Sequence, residues 1–242
     1  MLDFSNSKIL IVGDVMLDKY YFGKVDRISP EAPVPIVNIQ KEESRLGGAS
    51  NVANNIVSLG GHSLLCGVIG HDLFGKEIER ISRHKNIDTF LLKTSSPTIT
   101  KARIIGGKQQ IVRVDYEDKS ELNADNKKLF RDTISRILPE YDILVISDYG
   151  KGLISEDLCR YLIKLAHKYD KKVIIDPKGK NWEKYSGADI VTPNVKELSD
   201  IVGYTVPNTD RAIEKAAREA ITNNHLTALL VTRSDKGMSL IG

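Results

Sequence analysis

Cysteine is scarce in this chain, with two residues in 242, Cys66 and Cys159. They stand singly in apolar segments, with no Cys-x-x-Cys pair and no histidine at ligand spacing. That pattern excludes a disulfide framework and a thiolate metal site, and predicts buried, reduced thiols suited to the cytosol. The five histidines are scattered and share no i, i+4 spacing that suggests zinc. Aromatic residues make up 6% of the chain, too few for a base-stacking surface. The net charge of +3 is spread out, and basic runs such as 168–172 are interrupted by acids, here Asp170, so no nucleic-acid groove is expected. The amino terminus carries Asp3 and only a short apolar run before Asp14, below signal-peptide or membrane-span length. The expectation is a cytoplasmic protein with neither membrane nor nucleic acid as partner.

Several familiar motifs are missing as well. There is no Gly-x-Gly-x-x-Gly dinucleotide fingerprint, no Gly-x-Ser-x-Gly elbow, no internal repeat and no low-complexity tract. The run Gly70-His71-Asp72-Leu73-Phe74-Gly75-Lys76-Glu77 comes close to a P-loop, but Glu77 stands where a Ser or Thr hydroxyl would meet magnesium. A carboxylate there repels phosphate, so Asp72 is read instead as the N-cap of a helix over 73–84.

Apolar β-branched runs at 8–13, 63–69, 142–147, 172–176, 190–192 and 227–232 alternate with helical periodicity at 49–59, 73–84, 126–138, 156–169, 195–202 and 210–223. This alternation predicts an α/β fold, a mostly parallel sheet with helices on both faces. Ligands of such sheets gather at the carboxyl ends of the strands, which singles out Asp14, Asp148, Asp176, Asn194 and Thr232. Two regions depart from the alternation. Residues 19–40 carry Pro30, Pro33 and Pro35 among alternating apolar positions, and 98–115 reads as two strands joined by Gly106-Gly107. Both are expected to form a small projecting β-lid; a Pro-rich surface loop is the alternative for the first.

The densest local signal is Leu46-Gly47-Gly48-Ala49-Ser50-Asn51-Val52-Ala53, some way after the strand that ends at Asp14. Paired glycines let backbone approach a ligand closely and leave N–H groups for its hydroxyls, while an ionised carboxylate accepts two adjacent hydroxyls. Gly-Gly before a helix is also ordinary turn chemistry. Asn51, at the opening of the helix, adds an amide beside the glycines. Lys101, Arg103 and Arg113 lie on the projecting strands, where same-face cations can hold a phosphate or simply be solvated.

The Asp14 strand end, the Leu46–Ala53 stretch, Asp176-Pro177-Lys178-Gly179, Thr192-Pro193-Asn194-Val195-Lys196-Glu197 and Leu230-Val231-Thr232-Arg233-Ser234-Asp235-Lys236-Gly237 together resemble the ribokinase (PfkB-type) family of carbohydrate kinases. Residues 12–18, 27–35 and 147–152 are similar to its D-glycero-β-D-manno-heptose-7-phosphate kinases, which serve lipopolysaccharide core synthesis alone or as the first half of a bifunctional heptose kinase/adenylyltransferase. The resemblance runs from about residue 8 onward. It implies one ribokinase-like domain with its β-lid, and transfer of the γ-phosphoryl of ATP to the 1-hydroxyl of heptose 7-phosphate. It further implies that Asp14, Gly47, Gly48 and Asn51 hold sugar hydroxyls and that Lys101, Arg103 and Arg113 are candidates for the 7-phosphate. Asn194, Val195, Lys196 and Glu197 would serve the ATP–magnesium side, Glu197 through water on Mg2+, and Thr232 and Gly237 would border the nucleotide. The lid is expected to pair two subunits into a homodimer. The family's Gly-Ala-Gly-Asp segment, which carries the catalytic base, is not among the 242 residues, and the resemblance puts it beyond Gly242. These residues alone are therefore expected to turn over negligibly. Another sugar kinase of the same fold and a non-catalytic sugar-phosphate binder remain as alternatives.

Overall fold

The computed structural model describes residues 3–118 and 122–242. Its main sheet has eight strands: β1 (Lys8–Gly13), β4 (His62–Gly70), β5 (Asp88–Thr94), β8 (Ile143–Ser147), β9 (Lys172–Asp176), β10 (Ile190–Val191), β11 (Ala228–Thr232) and β12 (Met238–Ile241). Their spatial order is β12-β11-β10-β9-β8-β1-β4-β5, and every pairing is parallel except β11 with β12. A second sheet, of four strands, is formed by β2 (Val15–Ile28), β3 (Pro35–Gly48), β6 (Thr100–Gly106) and β7 (Gln109–Tyr116), in the order β3-β2-β6-β7.

Side-chain alternation in the central strands builds two cores, one on each face of the main sheet. On β1, Leu10 and Val12 enter the larger core, whereas Ile11 enters the smaller one. On β4, Cys66 joins the first and Leu65 and Ile69 the second. The helices α1 (Ala49–Ser58) and α2 (Leu73–His84) cover the smaller core. The larger is covered by α3 (Ala124–Ile137), α4 (Glu156–Lys168), α5 (Val195–Val202) and α6 (Asp210–Asn224). Asp72 does cap α2, its carboxylate accepting from Gly75 N at 2.7 Å and from Thr98 N at 2.7 Å. Both cysteines are free and buried, and burial raises their pKa values, Cys159 to about 12. No helix among the described residues is long and apolar enough to cross a membrane.

Three features differ from the sequence reading. The edge strands β5 and β12 have no counterpart among the expected strands. The lid is longer than 19–40: β2 starts directly after Asp14, and β3 runs through Leu46-Gly47-Gly48 into α1. Pro30 and Pro33 lie in the turn between them, and Pro35 opens β3 at the sheet edge, where a missing N–H is tolerated.

Candidate functional site

Because the strands are parallel, their carboxyl ends bring Asp14, Asp148, Asp176, Asn194 and Thr232 to one edge of the main sheet. Asp14 is 2% exposed. Its Oδ2 accepts from the backbone N–H groups of Tyr149 (2.8 Å) and Lys151 (3.1 Å), and its Oδ1 is enclosed without a protein partner. Burial, and to a lesser degree the Asp148 charge, push its carboxyl pKa up, against the backbone N–H groups of Tyr149, Lys151 and Leu153, which hold it down. Oδ2 is thus engaged by the 149–151 turn, which leaves Oδ1 as the oxygen free for a hydroxyl.

Gly47 and Gly48 sit against Asp14 and its neighbours. A Cβ on Gly47 would meet Asp18 Oδ2 at 2.5 Å; one on Gly48 would meet the Asp14 carbonyl at 2.4 Å, at a φ of +54° that L side chains rarely adopt. Internal packing alone therefore demands glycine at position 48, while a side chain at 47 would have to displace the Asp18 and Met16 side chains. Ser50, fully buried, donates to the carbonyls of Gly47 (2.6 Å) and Met16 (3.2 Å), joining the first turn of α1 to the lid. Asn51 is exposed in that same turn.

The strand register places Lys101, Arg103 and Arg113 on one face of the lid: Lys101 and Arg103 are two apart on β6, and Arg113 lies opposite Arg103 on β7. Their charges are partly committed. Arg103 Nη1 donates to Asp18 at 2.6 Å, and its guanidinium lies 5.1 Å from the centre of the Tyr20 ring. Arg113 makes a two-point pair with Asp115, at 2.8 and 2.9 Å. Lys101 enters no ion pair among the described residues. Arg45, which no motif singles out, covers Tyr20 as well, at 4.9 Å.

Asp14 also lines a cavity of about 480 Å3, together with His71, Lys93, Asn123, Asn126 and Lys151 among others. The cavity leaves out Gly47, Gly48 and Asn51, and it takes its cationic side chains from outside the Lys101, Arg103 and Arg113 set. Lys151, one of the lining residues, pairs with Glu117, just after β7.

Beyond β8, Asp148 is 2% exposed and fully engaged. Its Oδ1 accepts from Gly150 N at 2.7 Å, and its Oδ2 accepts from Tyr185 Oη at 2.7 Å and from Lys184 Nζ. Burial and the adjoining Asp148 charge push the Tyr185 hydroxyl pKa well above its usual range. At the end of β9, the Asp176 carboxyl is raised to about 6, first by burial and next by the Glu197 charge. Glu197 closes a capping box with Asn194: Asn194 N donates to Oε2 at 3.0 Å, and Glu197 N donates to Asn194 Oδ1 at 2.9 Å. Its Oε1 lies 3.7 Å from Lys178 Nζ. Among the described residues no three His, Cys, Asp or Glu side chains converge to hold a metal alone. Asp176 and Glu197, which repel each other, nonetheless fit a Mg2+ ion that takes most of its ligands from water and phosphate.

Asn194, Val195, Lys196, Thr232 and Gly237 line a second, open cavity of about 960 Å3 between α5 and the β11–β12 turn. The expected nucleotide-side residues are thus brought together except Glu197, which faces Lys178. Arg233 is 5% exposed and fastens this turn, its guanidinium bonding Asn208 Oδ1 and Ser239 Oγ, each at 2.9 Å. Gly242 does not line this cavity. It follows β12 at the opposite end of that strand from the cavity-lining Met238, and its carbonyl accepts from Arg218 Nη1 on α6 at 3.2 Å.

A family model described as pfkB family carbohydrate kinase matches residues 6–242. The bifunctional protein HldE of Haemophilus influenzae strain PittEE is 44% identical over 240 residues, covering 99% of this chain and 49% of that protein. The D-beta-D-heptose 7-phosphate kinase of Bordetella bronchiseptica is 43% identical over 237 residues, covering 98% of this chain and 74% of the relative. The chain thus spans about half the length of the bifunctional relatives it matches. Among solved structures, the tetrameric inhibited form of phosphofructokinase-2 from Escherichia coli superposes with a TM-score of 0.78 at 20% identity, over 97% of this chain and 76% of the other. That likeness establishes the fold alone.

Proposed function

The chain belongs to the pfkB family of carbohydrate kinases, and from that premise we propose that it binds ATP and D-glycero-D-manno-heptose 7-phosphate for transfer of the γ-phosphoryl group to the sugar's 1-hydroxyl, giving heptose 1,7-bisphosphate, with negligible turnover expected from these 242 residues alone. The heptose is taken from the Bordetella relative, whose printed name is that of a heptose 7-phosphate kinase. The observation that carries the reading is Asp14, a buried carboxylate at a central strand end with one oxygen unengaged.

In this proposal Asp14 Oδ1 accepts a sugar hydroxyl once the 149–151 turn draws back, and Gly47, Gly48 and Asn51 border the sugar. Lys101, Arg103 and Arg113 attract the 7-phosphate along the lid. Asn194, Val195, Lys196, Thr232 and Gly237 border ATP, and Glu197 orders water around Mg2+, which neutralises charge on the transferring phosphates. Phosphoryl transfer depends largely on positioning and charge neutralisation, and these residues are assigned those two tasks.

Asp14→Ala is expected to weaken binding of heptose 7-phosphate about tenfold or more, the loss of a charge-assisted hydrogen bond. Calorimetric titration giving equal affinities for the two proteins would remove Asp14 from the site.

The same reading makes the lid the contact between two copies. Its strands leave Ile28, Val112 and Tyr116 from 45 to 61% exposed, and β3 and β7 are the two edges of its sheet. Sedimentation of the folded protein at micromolar concentration is expected to show a dimer, shifted to monomer by Val112→Asp. A monomeric wild type would count against the lid as an interface.

A further inference from the structure

We propose that Lys178 contacts the terminal phosphoryl group of the bound nucleoside triphosphate, and that Tyr185 and Asp148 are positioning residues that hold it there. The proposal rests on the kinase reading above and adds to it a residue to which that reading gives no role.

Lys178 follows the end of β9 by two residues, after the buried Pro177. Its backbone is clamped. Lys178 N donates to Tyr185 Oη at 2.9 Å, and that hydroxyl donates in turn to Asp148 Oδ2 at 2.7 Å. Tyr185 is fully buried, and Lys184 holds the same carboxylate oxygen from the neighbouring position. A hydroxyl relay therefore ties the β9 turn to the end of β8.

The side chain is held far more loosely than the backbone. It is 54% exposed, and its amine is 3.7 Å from Glu197 Oε1, beyond hydrogen-bond length. Such a pair contributes little to stability. A firmly held backbone carrying a loosely paired ammonium suits a group that must meet a charged ligand.

Its place in the sheet gives that ligand an identity. β9 lies two strands from β1, which ends at Asp14, and two strands from β11, which ends at Thr232 beside the nucleotide cavity. At about 4.8 Å per strand, Lys178 stands roughly 10 Å from each. Phosphate passing from a nucleotide on the β11 side to a sugar on the β1 side crosses this position. A lysine serves there as a compact point charge.

The test is titration of the purified chain with Mg·ATP and with Mg·ADP, using wild type, Lys178→Ala, Lys178→Arg, Tyr185→Phe and the double variant Lys178→Ala/Tyr185→Phe. Lys178→Ala is expected to weaken ATP about tenfold and ADP far less, with Lys178→Arg keeping most of the affinity. Tyr185→Phe is expected to show the same ATP-specific loss with an unchanged circular dichroism spectrum, and the double variant no further loss. An ATP-to-ADP ratio in Lys178→Ala equal to that of wild type would overturn the phosphoryl contact. Equal weakening of both nucleotides in Tyr185→Phe, or additive losses in the double variant, would reduce Tyr185 to a structural role. Lys178 is on the surface, so its variants decide the main claim even where Tyr185→Phe does not fold. A wild type that binds neither nucleotide would overturn the kinase reading itself, an outcome distinct from all of these.

Discussion

Replacing Asp148 by alanine is expected to lower the unfolding free energy by about 3–5 kcal/mol, among the largest effects of any single substitution in this chain. The carboxylate is 2% exposed and satisfies three donors: Gly150 N, Tyr185 Oη and Lys184 Nζ. Alanine removes this acceptor from all three. The Tyr185 hydroxyl loses its shorter bond and keeps only the Lys178 carbonyl, at 3.2 Å, and Lys184, with a side chain 15% exposed, loses the one ion pair it makes among the described residues. Lys184 can still turn toward water, which places the expectation nearer the lower end of the range. Asp148→Asn retains the shape and one acceptor, and should cost clearly less. Urea unfolding followed by circular dichroism checks both. A loss below about 1 kcal/mol for Asp148→Ala would mean that the cluster is incidental to the fold, and would remove the clamp on the β9 turn.

This cluster also shows where reading the sequence stops. Asp148 is legible as a residue at a strand end, because the alternation of apolar runs and helical periodicity fixes which end of each strand faces ligands. Its partners are not. Lys184 and Tyr185 are 36 and 37 positions away and meet it through side chains, and no periodicity encodes such a meeting. The cavity beside Asp14 is hidden for the same reason, since His71, Lys93 and Asn123 come from three separate parts of the chain.

The fold is legible where burial writes a pattern. β1, β9, α2 and α5 begin and end where their apolar patterns do, because each has a face, or both faces, in a core. β5 and β12 have only one neighbouring strand each and a partly buried or exposed surface, as at Met238 and Leu240. Their patterns are correspondingly faint. The lid is obscured differently. β3 carries Gln40-Lys41-Glu42-Glu43-Ser44-Arg45, polar at successive positions, since both faces of its middle reach solvent. Its length is fixed by the backbone ladder with β2, not by hydrophobic alternation, so only its proline-marked start and its glycine-marked end stand out in the sequence.

Asp176→Asn is expected to stabilise the protein at pH 7 by about 2–3 kcal/mol and to remove a pH dependence that runs opposite to ordinary acid denaturation. The Asp176 carboxyl is raised from 3.8 to about 6, first by burial, then by the charge on Glu197, with Lys178 opposing. Between about pH 4 and 6 the folded state therefore holds a proton on Asp176 that the unfolded state has released. The slope of stability with pH is negative across that window: the contribution is greatest near pH 4, where the folded form is neutral, and the full cost of the buried charge is felt above about pH 6. Asp72 and Asp189, whose pKa values are lowered, pull the other way at lower pH. The comparison of wild type with Asp176→Asn isolates the one residue. Chemical unfolding in buffer free of divalent cations, from about pH 4 to 8, is the measurement. A difference between the two proteins that grows by about 2–3 kcal/mol toward neutral pH is expected, and a difference independent of pH would show that Asp176 is not held above its ordinary pKa. Asp176 destabilises its own fold at neutral pH beside Glu197 and Lys178, and under the proposed function a cation brought in with nucleotide would relieve that repulsion, so that the cost in the free chain would become affinity in the complex.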